Sequence, residues 1–507
     1  MKFTLSWLKE HLDTDRGLEE IAERLTALGL EVDGIEDKTA ALAPFTVGHV
    51  VRCEQHPNAN RLKICHVHTG AGETQVVCGA PNARAGMKGV FAPAGTYIPG
   101  TDMTLKPGVI RGVESNGMLC SEREMGLSDE HTGIIELPED APVGAPFARI
   151  MGLDDPLIDI ALTPDRGDCA GVRGIARDLA AAGIGDLRDL AVDPVAGRFK
   201  SPIDVKLTLP KGAQIACPLF VGRYVRGLKN RPSPRWLQDK LRAVGLRPIS
   251  TLVDITNYFT LDRDRPLHVF DADTVAGGLH VRLSKAGETL DALNDKSYTL
   301  DDQVCVIADD DGVLALGGVI GGQSSGCTGD TENVFVECAL FDPLRTAASG
   351  RKLAIDSDAR YRFERGVDPD AVIAGMEQAT RLIVELCGGE PSELVVAGAV
   401  PGWRRTLSLR PARVEHLGGV AVPLDEQVRI LTALGCTVAE CKDGNLRVEV
   451  PSWRSDIHGE AELGEEVLRV HGFDNIPAVS MPRLGALTRP AITVKQRAST
   501  QVRRLLD

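Results

Sequence analysis

Aromatic side chains are scarce in this chain: Phe, Trp and Tyr make up 4% of its 507 residues. Its cores must therefore be filled by Leu, Val, Ile and Ala, and an apolar content of 43% suffices for three or four ordinary domains. Long apolar runs are also missing. The longest, around Val313 to Gly322, is too short and too glycine-rich to cross a bilayer, so no membrane association is expected. The opening Met1-Lys2-Phe3-Thr4-Leu5-Ser6-Trp7 continues into charge and has no apolar signal core. Twelve cysteines are scattered without a single CxxC. A chain of this size needs no staples, and the pattern is that of reduced thiols in a cytoplasmic protein. There is no GxSxG, no P-loop and no low-complexity tract. Positive charge is in deficit, 57 Lys and Arg against 71 Asp and Glu, a net −14. That balance excludes indiscriminate nucleic-acid binding, and any RNA contact must be local or shared with a partner chain.

Three ordered blocks stand out among what is present: His56-Pro57-Asn58-Ala59-Asn60-Arg61-Leu62, then Cys78-Gly79-Ala80-Pro81-Asn82-Ala83-Arg84, then Gly112 to Ser121. The segments between them read as short strands, Thr46 to Arg52, Lys63 to His68, Gln75 to Cys78 and Gly89 to Ala92. Gly, Pro and Asn turns at close intervals point to a small closed barrel. Arg61, Lys63 and Arg84 beside Asn58, Asn60 and Asn82 form a donor-rich set suited to phosphates and base edges. Each asparagine by itself is equally at home capping a turn. Taken together, the blocks resemble the tRNA-binding OB module of several tRNA-handling proteins.

Around this barrel the chain divides into further units, a multidomain α+β organisation. Residues 1–40 carry a helix with Leu18, Ile21, Ala22, Leu25 and Leu28 on one face, stopped by Gly29, and a strand Leu30 to Ile35. Residues 150–187, with Thr163-Pro164 and a helix Val172 to Ala182, read as a return to that element, leaving 41–149 to the barrel. Arg188 to Ser201 reads as a linker. A mixed α+β unit spans 202–398. In it Ser233 is the expected N-cap of a helix through Val244, Pro234 its first residue and Gly245 its stop. Strands are expected from there to a helix at Pro369 to Leu386. The unit 404–478 has a helix Leu424 to Leu434, two strands around Asp443-Gly444, and a helix after Trp453, a winged-helix-like order. Leu25-Thr26-Ala27-Leu28-Gly29 recurs as Leu431-Thr432-Ala433-Leu434-Gly435, which reads as one helix stop used twice.

The densest ionisable set lies at Asp456, Glu462, Glu465 and Glu466. The three glutamates share a helix face, where like charges at that spacing each cost roughly 0.2–0.5 kcal/mol. Arg469, four residues after Glu465, can offset them, or a hard cation such as Mg2+ can, held by one or two carboxylates.

This stretch, continuing through His471-Gly472-Phe473-Asp474-Asn475-Ile476-Pro477, resembles the β subunit of bacterial-type phenylalanyl-tRNA synthetases. So do Asp254-Ile255-Thr256-Asn257-Tyr258, Arg265 to Asp271, Ala315 to Gly322, Val336 to Pro343 and Arg360 to Pro369. The resemblance implies an OB-fold tRNA-binding domain, an editing domain over 202–398 and a winged-helix-like domain. It implies a ligase subunit acting with an α subunit in an α2β2 heterotetramer on tRNA(Phe). ATP and Mg2+ would serve the complex, and the synthetic site would lie on α. In the family Mg2+ sits at the carboxylates matching Asp456, Glu462, Glu465 and Glu466. A hydrolytic editing pocket for Tyr-tRNA maps onto Thr256, Asn257, His268, Gly318 and Glu337, with Glu337 accepting from the tyrosine hydroxyl. The arginines of Arg360 to Arg365 either contact tRNA or tie the domain together. Family members continue further, so 479–507 is expected to begin a truncated catalytic-like domain. Two other readings remain: a non-enzymatic tRNA-binding scaffold and a free-standing Tyr-tRNA deacylase.

Overall fold

A computed structural model describes residues 1–442, 444–480 and 491–506. Asp443 of the expected turn, and 481–490 of the expected final domain, lie outside the described residues. No helix among the described residues is long and apolar enough to cross a membrane.

The first sheet joins distant parts of the sequence, with Leu157–Ile160 pairing antiparallel to Lys2–Thr4 on one side and Val32–Glu36 on the other. Helices Leu5–His11, Leu18–Ala27 and Val172–Ala181 bury Trp7, Leu8, Ile21, Leu25, Ile175 and Leu179 against it. Helix Leu18–Ala27 stops at Gly29 (φ 82°), and Leu424–Ala433 stops at Gly435 (φ 94°). In both, the residue after the glycine donates back to the leucine five positions earlier, Leu30 to Leu25 and Cys436 to Leu431. The repeated pentapeptide is thus one Schellman stop used twice.

Between the two halves of this unit the chain builds a five-stranded antiparallel sheet. Its order is Gly117–Leu119, Lys88–Pro93, Thr46–Gln55, Lys63–His68, Glu73–Cys78. The outer strands approach again: Asn116 N donates to Gln75 O at 2.9 Å and Val77 N to Ser115 Oγ at 3.0 Å, nearly closing the barrel.

The middle unit packs two sheets face to face. One runs His268–Asp271, Asn333–Leu340, Leu219–Arg226, then Glu390–Pro391 and Val395–Gly398. The other runs Val205–Leu207, Leu279–Leu283, Cys305–Ala308, Val313–Leu316, Ile320–Gly321. Strand alternation splits Asn333–Leu340 between two cores. Val334, Val336, Cys338 and Leu340 face one core with residues of helices Thr251–Arg263 and Ala371–Cys387, while Phe335 and Ala339 face the second sheet.

Three helices occupy places where strands were expected: Thr251–Arg263, Pro343–Leu353 and Asp358–Phe363. Ser233 is not an N-cap either. Pro234 takes that position ahead of Arg235–Ala243, and the buried Ser233 hydroxyl donates to Asp254 instead. The segment 188–201 has no regular structure but is pinned, with Val195 N donating to Glu377 at 2.8 Å and its carbonyl accepting from buried Arg223.

The last unit has a sheet ordered Thr406–Leu409, Leu446–Glu449, Thr437–Glu440, with helices Pro411–Gly418, Leu424–Ala433 and Glu460–His471. Its first strand and first helix add to the expected helix, hairpin and helix.

Candidate editing pocket and the buried charge network

His268 and Glu337 face each other in register across adjacent antiparallel strands, on the side that looks toward the second sheet. They border a cavity of about 70 Å³. Its walls include Leu267 and Pro266, the strand residues Ile307 and Ala315, the turn Gly318 to Gly321, and Phe363 from helix Asp358–Phe363. Two glycines make the approach tight. Gly318 has φ +71°, and a Cβ there would lie 3.0 Å from the Phe341 ring; a side chain on Gly321 would overlap the His268 imidazole. Sequence reasoning missed Gly321 and Phe363; the run Gly317-Gly318-Val319-Ile320-Gly321-Gly322 was the signal for the first.

Neither polar group in the cavity is satisfied. Glu337 is 6% exposed and has no hydrogen bond or ion pair among the described residues, and the buried His268 Nε2 has no partner. Burial pushes the Glu337 carboxyl up to about 8 and lowers the His268 imidazole to about 4. Both are therefore neutral near pH 7, a protonated acid facing an uncharged imidazole. Cys338 points to the opposite core, donates to Val372 O at 3.2 Å and is pushed up to about 11 by burial.

Thr256 and Asn257 do not line this cavity. They sit on helix Thr251–Arg263, where the Thr256 hydroxyl donates to Val253 O at 2.7 Å. Asp254 of the same motif is fully buried and holds Ile249 N at 2.8 Å. The Arg360 to Arg365 arginines are also engaged internally: Arg360 with Glu364, Arg362 with Ala170 O and Asp358, Arg365 with Glu364 and the Tyr361 ring. Of the two readings given to them, tying the molecule together is the one these bonds describe.

The carboxylate cluster is half of a buried network joining the first and last units. Glu466 lies between Arg454 and Arg469, the latter at 2.8 Å through Nε. Arg469 continues to Asp178 at 2.8 Å, Asp178 accepts from Arg166 at 2.7 Å, and Arg166 bonds Asp168 at 3.0 Å. Arg177 bonds Asp168 and lies 4.4 Å over the Trp453 ring, while Arg454 also grips Asp456 at 2.7 and 2.9 Å. Arg166, Arg177, Arg454 and Arg469 thus meet Asp168, Asp178, Asp456 and Glu466. Burial alone would raise the Glu466 carboxyl, but Arg469 and Arg454 outweigh it and hold it well below the usual range.

This corrects the expected Glu465–Arg469 pair: Arg469 turns inward to Glu466, and Glu465 is exposed. Burial, and then the nearby Glu466 and Asp165, raise the Glu465 carboxyl. The four carboxylates assigned to a metal do not converge. Glu466 and Asp456 are committed to arginines, while Glu462 and Glu465 have no hydrogen bond or ion pair among the described residues. Among the described residues, three ligand atoms converge at Asp168, Cys169 and Asp178, and the Arg166 guanidinium fills that grouping.

On the barrel the expected RNA-binding donors are largely turned to the protein itself. Asn58 donates to Arg111 O at 3.0 Å and Asn82 brackets the Ile134 peptide at 2.9 and 3.0 Å. Lys63 donates to Pro81 O and Ala83 O, and Arg84 pairs with Glu136. Of the five, Arg61 alone has no partner among the described residues, and it is exposed.

Three family profiles match the chain: a tRNA binding domain over 45–146, a B3/4 domain over 216–388 and a tRNA synthetase B5 domain over 407–473. The phenylalanine–tRNA ligase beta subunit of Paramagnetospirillum magneticum is 57% identical over 100% of this chain and 63% of its own length. That of Rhodospirillum rubrum is 57% identical with the same coverage. Among solved structures, an N-terminal fragment of the phenylalanyl-tRNA synthetase beta-subunit from Pyrococcus horikoshii aligns over 93% of this chain and 99% of that one. Its identity is 13% and its TM-score 0.40. The chain spans about 63% of the length of the curated relatives it matches. With these three domains in order and more than half of its residues identical to those relatives, the chain is similar from end to end to phenylalanine–tRNA ligase beta subunits.

Proposed function

We propose that this chain is the proofreading part of a phenylalanine–tRNA ligase, hydrolysing Tyr-tRNA(Phe) in the cavity between the two middle sheets. The observation that carries this is the unsatisfied pair Glu337 and His268 at a small, mainly apolar pocket. A pocket selecting phenylalanine rejects an added hydroxyl by only about 10²-fold, so a second site is needed to remove tyrosine. In this cavity a phenylalanine ring leaves the Glu337 carboxyl buried and unpaired, whereas a tyrosine hydroxyl satisfies it. Since burial keeps Glu337 protonated near neutrality, the hydroxyl meets a neutral carboxyl, giving and accepting hydrogen bonds rather than facing an anion. His268, held well below its ordinary value, is a weak base. Its unpartnered Nε2 orients the attacking water, and Gly318 and Gly321 leave room for the ester. No covalent nucleophile is used. Thr256 and Asn257 act, in this reading, only if the substrate's adenosine end reaches over their helix.

The synthetic half of the reaction, ATP-dependent attachment of phenylalanine, is assigned to an α subunit in an α2β2 assembly in the cytoplasm. The barrel contributes a local tRNA contact centred on Arg61, with Asn58, Lys63, Asn82 and Arg84 shaping the loops around it. Mg2+ fits only in a loose form, a hydrated ion held by Glu462 and Glu465. Glu465→Gln should then lower Mg2+ bound to the assembled complex, measured by equilibrium dialysis; equal binding returns these carboxylates to ordinary surface charge.

The test of the editing reading is deacylation of Tyr-tRNA(Phe) and Phe-tRNA(Phe) side by side. Glu337→Ala should erase most of the preference for the tyrosyl ester, a change on the order of 10²-fold, with α association intact. An unchanged ratio would falsify the role given to Glu337. A scaffold without hydrolysis would show no cleavage by the parent chain at all.

A further inference from the structure

Three of the twelve cysteines lie on neighbouring strands of the barrel. Cys53 and Cys65 are direct cross-strand partners, with Sγ atoms 3.6 Å apart. His56 N donates to Leu62 O in the same register, so alternation places the Cys53–Cys65 pair at a non-hydrogen-bonded position. There opposed Cα atoms come closest, about 4.5 Å, within the span a disulfide bridges. Cys78 lies diagonally across the next strand pair, where Lys63 is its direct partner, beside Cys65, whose own thiol donates to Cys53. Unlike the wholly buried Cys65, Cys78 reaches an open depression of about 280 Å³ with Ser121, Glu124, His131 and Thr132 on its walls. The Ala80 amide donates to its sulfur at 3.4 Å. The neighbouring Cys65 thiol first, and then the Ala80 amide, outweigh burial and lower the Cys78 thiol to about 7.

We infer that Cys78, Cys65 and Cys53 form a thiol relay in the barrel, entered by a hydroperoxide at Cys78 and ending in a reversible Cys53–Cys65 disulfide. The steps balance. The Cys78 thiolate attacks the peroxide O–O bond, taking one oxygen as sulfenic acid and releasing the other, once a proton is added, as the hydroxyl product. The Cys65 thiol displaces the sulfenic oxygen as water, forming Cys65–Cys78. The Cys53 thiol then attacks Cys65 Sγ, and Cys78 leaves as a thiol. In sum two thiols are oxidised by two electrons and one hydroperoxide is reduced to water and its hydroxyl product, water again for hydrogen peroxide. The site lies against the loop carrying Asn82 and Arg84, because both the Cys53 thiol and Lys63 Nζ donate to Ala83 O. Oxidation removes the first of these contacts.

The full chain is treated with hydrogen peroxide, quenched, alkylated and mapped by mass spectrometry. The expected product is a Cys53–Cys65 linked peptide, lost on reduction with dithiothreitol, with exposed but isolated Cys441 unlinked. Cys78→Ser should slow the linkage at least about tenfold, as loss of the attacking thiolate does. Cys65→Ser should leave a sulfenic acid at Cys78 that dimedone traps. Oxidation confined to Cys441, or a linkage that never includes Cys53, overturns the inference, and the parent-chain map alone decides this if a variant fails to fold.

Discussion

Two buried polar regions of this chain meet the same penalty in opposite ways. Between the first and last units, four arginines and four carboxylates are packed so that every charge has a partner, with Asp178 held between Arg166 and Arg469 and Glu466 between Arg454 and Arg469. Inside the middle unit, Glu337 and His268 sit opposite each other with none. Desolvation acts on both. In the network it is outweighed by arginines, and Glu466 stays ionised; in the cavity nothing outweighs it, and the groups give up their charge instead. The network therefore joins two units, whereas the cavity leaves two polar groups without partners.

The largest effect should come from breaking the paired region. Asp178→Ala takes one carboxylate from each of the buried Arg166 and Arg469, and the loss should be about 3–5 kcal/mol, read as a shift in the denaturant midpoint. A loss below about 1 kcal/mol would put this network with ordinary surface pairs.

The next effect sharpens the contrast through pH. Glu337 rises from an ordinary 4.5 to about 8 on folding, so the folded state binds the extra proton between those values. Stability is fully present below 4.5 and is lost as pH rises through 8, by an amount on the order of a few kcal/mol. His268 acts oppositely and lower: its fall from 6.5 to about 4 makes stability grow as pH rises across that window. Glu337→Gln should flatten the loss between neutral pH and pH 9 in thermal melts, and a slope identical to the parent's would show that another group carries it.

A smaller effect is expected at Gly321. A methyl group there must push His268 aside, costing about 1–3 kcal/mol, and should reduce Tyr-tRNA hydrolysis more than it reduces stability. Equal activity would mean that His268 has space the packing does not show.

Much of the organisation was legible because the signals were periodic and local. Leu18, Ile21, Leu25 and Leu28 announced a helix with one buried face, and the recurring Leu-Thr-Ala-Leu-Gly announced its stop. Helix Thr251–Arg263 was invisible for the opposite reason. Its buried residues include Thr251, Leu252, Asp254, Ile255, Phe259, Thr260 and Asp262, which leave no apolar stripe to read. Helices Pro343–Leu353 and Asp358–Phe363 did carry signals, the caps Asp342 and Ser357 with Pro343 at the first position. At the candidate site, the facing of His268 and Glu337 was beyond local sequence, since it depends on the register of strands 60 to 70 residues apart. The Glu465–Arg469 pair failed because spacing allows both Glu465 and Glu466 to reach an arginine, and only the core decides which one turns inward.

The network also has a history within each molecule. Asp178 and Arg469 are 291 residues apart, and at about 5–20 residues per second the ribosome needs on the order of 15–60 s to deliver the second after the first. For that interval the opening unit holds Asp178 and Asp168 with only Arg166 and Arg177 to answer them, and lacks the Trp453 ring that later lies beneath Arg177. The earlier-made side of the network therefore emerges incomplete and is finished by a segment translated long afterwards.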